Sequence, residues 1–134
     1  MKHYAIIIVV ATLFVAGCHE GYTAPDGDSL AKYLAPEALK GLTESPVDNI
    51  WIIDVRPSGA YARGHIPTAK SFPSGEIMDR LAELPKEQYL ILYCETGGRA
   101  QAVISKLEKE GYTRLMNWGG YKRWQWDFVE GETP

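Results

Sequence analysis

The sequence predicts an α/β protein built on a parallel sheet with helices on both faces, and three observations carry that prediction. Two runs, "IWIIDV" at 50–55 and "YLILY" at 89–93, are continuous apolar stretches that suit strands covered on both sides. Other segments carry apolar residues at helical spacing. Clusters of glycine and proline separate the two kinds of segment, so strands and helices alternate along the chain. Alternation of this kind joins parallel strands through crossover helices.

Each element has its own signal. Residues 29–42 read as two short helical pieces. Pro36 stands where the second begins, and Glu37 beside it suits the positive end of a helix. After the strand at 50–55, "RPSGAYARGHIP" breaks the pattern with Pro57, Gly59, Gly64 and Pro67. Ser71 and Phe72 form a short strand. Ile77, Leu81 and Leu84 follow at helical spacing until Pro85 stops them. The strand at 89–93 leads to a helix over 99–110, whose Ala100, Val103, Ile104 and Leu107 make one apolar stripe. Gly111 caps it. A last strand covers 114–117, and "WGGYKRWQWDF" reads as a turn and a closing helix. Trp118, Trp124 and Trp126 are expected to pack that helix on the sheet. Gly119 and Gly120 are expected to let backbone pass closely.

A length of 134 residues with 46% apolar and 23% charged content fits one globular domain. The formal charge is −3 and no basic block occurs, so nucleic acid is not an expected partner. A metal site is not expected either: His3 lies in the leader, and His19 and His65 lack ligand-like spacing. No cofactor is implied. His65, in "GHIP", reads as a turn-stabilising residue.

The first residues form a separate unit. Met1-Lys2-His3 is followed by an apolar run from Ile6 to Val15 and then Ala16-Gly17-Cys18. The run is about half the roughly 20 residues a spanning helix needs, and its order is that of a secretory signal. "VAGC" resembles the lipobox of bacterial lipoproteins, which implies cleavage before Cys18 and lipid on its sulfur. The expected organisation is thus a signal peptide at 1–17, a lipidated Cys18 and tether at 18–28, and a folded domain at 29–134. The expected location is the bacterial cell envelope on the periplasmic side, anchored to a membrane through Cys18. Only one other cysteine exists, Cys94, and a lone thiol in an oxidising compartment must be buried or used.

Cys94 closes an apolar strand and is followed by Glu95, Thr96, Gly97, Gly98 and Arg99. Ligands of open α/β sheets bind beyond the carboxyl ends of the strands. The loop leads into a helix N-terminus, which favours anions. Gly97 and Gly98 permit a curl that turns successive N–H groups inward, and Arg99 adds a fixed positive charge. These features favour thiolate over thiol; Glu95 opposes them. Asp54 and Arg56 end the neighbouring strand, and an ion pair between them would support the loops.

With these residues in place, four stretches resemble the motifs of a single rhodanese-like domain, in the family's order. They are "IIDVR" at 52–56, "GHIPTAKSFP" at 64–73, "LILYCETGGRA" at 90–100 and "GYTRLMNWGGYKRWQ" at 111–125, and the resemblance as a whole covers about 34–128. The resemblance implies a five-stranded parallel sheet flanked by helices, and a six-residue loop from Cys94 to Arg99. It implies a sulfurtransferase in which Cys94 takes sulfane sulfur from a small anionic donor such as thiosulfate. A thiol or cyanide acceptor then removes it, and a protein acceptor belongs to the same chemistry. Glu95, Thr96, Gly97, Gly98 and Arg99 would bind the anion. The alternative from another class is a sulfur-carrying or redox-sensing module with little turnover. A cysteine phosphatase or arsenate reductase fits less well: those enzymes place five residues between Cys and Arg, and this chain places four.

Overall fold

A computed structural model describes residues 30–133. The leader, Cys18 and the tether lie outside the described residues, as do Ser29 and Pro134. The sheet holds four strands: β1 (Ile50–Asp54), β2 (Lys70–Ser71), β3 (Tyr89–Cys94) and β4 (Leu115–Gly120). All neighbours run parallel, in the order β2-β1-β3-β4. Helices α1 (Pro36–Glu44), α2 (Ser58–Arg63) and α3 (Gly98–Lys109) join and flank them.

The expected fifth strand is not present among the described residues. The chain ahead of α1 instead winds into a 3-10 turn, Leu30–Leu34, which buries Leu30 and Tyr33. These are three residues apart, one turn of a 3-10 helix, so coiling puts both on one face. The Leu34 carbonyl accepts a 2.6 Å bond from the Arg123 guanidinium, which ties this turn to the far end of the chain.

Period-two alternation sorts the strand residues between two apolar clusters. Ile50, Ile52, Ile91 and Tyr93 pack with Leu39, Leu42 and Tyr61 on the face covered by α1 and α2. Ile53, Leu90, Leu92 and Cys94 pack on the other face with the α3 stripe of Ala100, Val103, Ile104 and Leu107. The stripe expected from sequence is therefore the buried side of α3. Beyond it, Gly111 adopts φ 90°, and the Tyr112 amide donates back to the Leu107 carbonyl at 3.1 Å. That arrangement closes the helix end with a left-handed glycine.

Two helices expected from sequence are shorter than their patterns suggest. Residues Ile77–Glu83 are 3-10 turns broken at Arg80. The closing helix is a single 3-10 turn, Tyr121–Arg123, because β4 continues through Trp118 to Gly120. Trp118 is consequently a strand residue, buried against the α1 face with Trp124.

Candidate active site

The carboxyl ends of β1 and β3 lie together, with Asp54 in register with Tyr93 and Cys94 opposite Gly120 of β4. Alternation turns their side chains to different faces. Cys94 points to the α3 side; Tyr93, one residue earlier, belongs to the α1 side. Asp54 follows Tyr93 and meets its hydroxyl there.

At the β1 end, charge is buried and fully engaged. Asp54 and Arg56 are 0% and 4% exposed. Asp54 Oδ2 accepts from Arg56 Nη2 and from the Tyr93 hydroxyl, each at 2.7 Å. Asp54 Oδ1 accepts from the Arg56 amide at 2.9 Å. Arg56 Nη2 also donates to the Gly64 carbonyl at 2.7 Å, and the Ile66 amide donates to the Tyr93 oxygen at 3.1 Å. Burial works against the Arg56 charge, but the Asp54 hydrogen bonds and charge outweigh it and raise its pKa. Burial first, and Asp54 second, push the Tyr93 hydroxyl well above its ordinary value. Asp54 and Arg56 thus form the ion pair expected from sequence; Arg56 holds Gly64 of the following turn, and the Tyr93 hydroxyl holds Ile66.

His65 lies in that turn, fully buried and stacked on Tyr61 with ring centroids 3.7 Å apart. Its Nδ1 is 2.9 Å from the Tyr61 carbonyl, which only accepts, so Nδ1 carries the proton. Its backbone pairs with Val129.

At the β3 end the arrangement is different. Cys94 is 1% exposed, and its Sγ accepts a 3.0 Å hydrogen bond from the Gly97 amide. Gly97 holds φ at 98°, in the left-handed region where glycine carries little penalty. That conformation turns the chain back over the sulfur before α3 begins. Glu95, Thr96, Gly98 and Arg99 are exposed around it. The Arg99 guanidinium meets the Glu95 carboxylate at 3.5 Å, and both side chains are about half exposed. Of the loop residues expected around the sulfur, Gly97 donates to it directly, and the Arg99 guanidinium faces Glu95.

The loop sits close to β4. A Cβ on Gly120 would fall 2.4 Å from the Glu95 carbonyl oxygen, so only glycine permits this approach. A Cβ on Gly97 would lie 3.0 Å from Gly119 Cα. Asn117, not marked by the sequence, bridges the same gap: its Nδ2 donates to the Gly97 carbonyl at 3.0 Å. The signal that would have found it is its place in "NWGG", just ahead of two glycines that face the loop. Glu95 also lines a cleft of about 560 Å³ together with Arg63, Gly64, Tyr121, Asp127 and Phe128.

Comparison with known proteins agrees with this fold. The family model for the rhodanese-like domain matches residues 34–127. A sulfurtransferase of Allochromatium vinosum is 30% identical over 100 residues, covering 74% of this chain and 84% of that one. A thiosulfate sulfurtransferase of Pseudomonas paraeruginosa is 24% identical over 93 residues, covering 69% of this chain and 82% of the relative. A crystal structure of a rhodanese-like domain protein from Staphylococcus aureus superposes with a TM-score of 0.61 at 30% identity. It covers 71% of this chain and 93% of that chain.

Proposed function

From the premise that this chain belongs to the rhodanese-like domain family, we propose that it is a sulfurtransferase working through a persulfide on Cys94. The observation that carries this reading is the Gly97 amide aimed at Sγ from 3.0 Å, at the carboxyl end of a central strand. A hydrogen bond donated to sulfur stabilises it as an anion. The Cys94 thiolate attacks the outer sulfur of a donor. With thiosulfate, the donor's S–S bond breaks, sulfite leaves with the bonding pair, and Cys94 keeps a persulfide. An acceptor thiolate or cyanide then attacks the outer sulfur and restores the Cys94 thiolate. Oxidation of the acceptor is matched by reduction of the transferred sulfur, so the cycle needs no outside oxidant or reductant. The Gly97 amide suits both anionic forms because it needs no proton transfer to serve them. Thiosulfate as donor is supported by the relative named for that reaction.

The test is intact mass after thiosulfate, with and without cyanide, alongside turnover. A gain of one sulfur on Cys94, discharged by cyanide, is expected. Cys94→Ser should lose at least about 1,000-fold in turnover, with the melting temperature nearly unchanged. Full sulfur transfer by Cys94→Ser would end the reading. Persulfide formation without multiple turnovers would instead select the carrier function.

The same proposal includes envelope anchoring through Cys18, supported by the order of the leader and by "VAGC". Cys18→Ala is expected to release the protein from isolated membranes. Retention of that variant on membranes would reject the anchor.

A further inference from the structure

We propose that Asn117 is a positioning residue for Cys94, holding the Gly97 peptide in the orientation that presents its amide to the sulfur. This inference rests on Cys94 being the reacting group. It starts from an irregularity in the sheet. Leu92 pairs with Asn117, but the next residue, Tyr93, pairs with Gly119, so β4 carries one extra residue at Trp118. A bulge of this kind takes backbone groups out of the ladder and re-aims nearby side chains. The Gly119 amide finds its partner locally, donating to Asn117 Oδ1 at 2.9 Å. Once that oxygen is engaged, the amide nitrogen of Asn117 faces the active loop. It donates to the Gly97 carbonyl at 3.0 Å and lies 3.5 Å from Gln101 Oε1.

The two bonds fix which way the side-chain amide is turned. Oδ1 must face a donor and Nδ2 an acceptor, so only one orientation satisfies both. Gly97 is thereby held from two sides: its carbonyl accepts from Asn117 and from the Gln101 amide at 2.9 Å, while its own N–H reaches Cys94. The left-handed turn at Gly97 has no side chain to restrain it, since glycine visits many conformations freely. Asn117 supplies that restraint from the neighbouring strand. An aspartate at 117 could accept from Gly119 but could not donate to Gly97, and its charge would stand against the carbonyl.

The experiment follows the rate of Cys94 alkylation by iodoacetamide against pH in the wild type, Asn117→Ala and Asn117→Asp. Cys94 must react as the native fold holds it, so circular dichroism is recorded on each protein. The expected result is a pH–rate midpoint displaced upward by about one unit in both variants. Sulfur transfer should fall about tenfold in kcat for Asn117→Ala, and further for Asn117→Asp. Asn117→Asp has nearly the same shape as the native residue and decides the question if the alanine variant does not fold. Folded variants that keep the wild-type midpoint and rate would overturn the proposal, whatever their melting temperatures. Alkylation needs no sulfur donor. Inactive wild-type protein whose alkylation still depends on Asn117 would therefore reject the sulfurtransferase reading and leave the positioning role standing.

Discussion

The ends of β1 and β3 are neighbours in one sheet, yet they treat their polar groups in opposite ways. At the β1 end, Asp54, Arg56, Tyr93 and the Gly64 carbonyl are linked by hydrogen bonds among buried groups. At the β3 end, a single amide meets the Cys94 sulfur, and the loop around it faces solvent. The difference teaches how one sheet edge is divided between structure and chemistry. A buried charge that lacks partners is costly, so the β1 corner is useful only when complete. A nucleophile that is fully saturated has no lone pair to offer, so the β3 corner must stay incomplete.

Breaking the β1 corner should have the largest effect on stability. Asp54→Ala leaves the Arg56 guanidinium buried without its carboxylate, and a loss of about 3–5 kcal/mol is expected in urea unfolding. A change below about 1 kcal/mol would show that this corner is not structural. Gly120→Ala tests the other region. The added methyl meets the Glu95 carbonyl and forces the loop from β4. Overpacking of this sort costs about 1–3 kcal/mol, and displacement of the loop should lower sulfur transfer about 100-fold. Wild-type turnover in Gly120→Ala would mean that the close approach has no part in catalysis.

The smallest effect belongs to the residue that joins the two regions. Tyr93→Phe removes the hydrogen bond to Asp54 and leaves the Ile66 amide without its acceptor, while Arg56 remains on Asp54, so about 2 kcal/mol should be lost at neutral pH. Its pH dependence sharpens the comparison. The folded Tyr93 hydroxyl has a raised pKa, from burial first and Asp54 second, so its proton is held more tightly than in the unfolded chain. That contribution is fully present below the unfolded value near pH 10 and is lost as pH rises through the folded value. Tyr61 behaves likewise, with burial and Asp54 raising it to about 12. Melting temperature should therefore fall above about pH 10 in the wild type and fall less steeply in Tyr93→Phe. Equal slopes would remove Tyr93 from the alkaline transition.

Much of this was readable along the chain. The continuous apolar runs mark β1 and β3, the stripe through Ala100, Val103, Ile104 and Leu107 marks the buried side of α3, and Cys94 falls at a strand end ahead of two glycines. Pairing of Asp54 with Arg56 was also within reach, because the two residues stand two apart at the close of one strand. The four strands were marked as well, by signals at 50–55, 71–72, 89–93 and 114–117; the fifth was expected from the family resemblance alone, and a 3-10 turn stands ahead of α1. The closing helix failed for a different reason: its tryptophans are large enough to be buried from a strand or a turn.

Local order along the chain thus specified that β1 and β3 are strands, that α3 is a helix, and where a thiol meets glycine. Those choices depend on periodicity and on the conformational limits of single residues, which neighbours in sequence suffice to set. Folding in three dimensions settled which groups face one another. The extra residue in β4, the reach of Asn117 to Gly97, the passage of Gly120 under Glu95 and the turn of Arg99 toward Glu95 all arise between segments distant in the chain or from side-chain direction. Contacts of that kind depend on register and packing across the sheet, and no spacing within one segment encodes them.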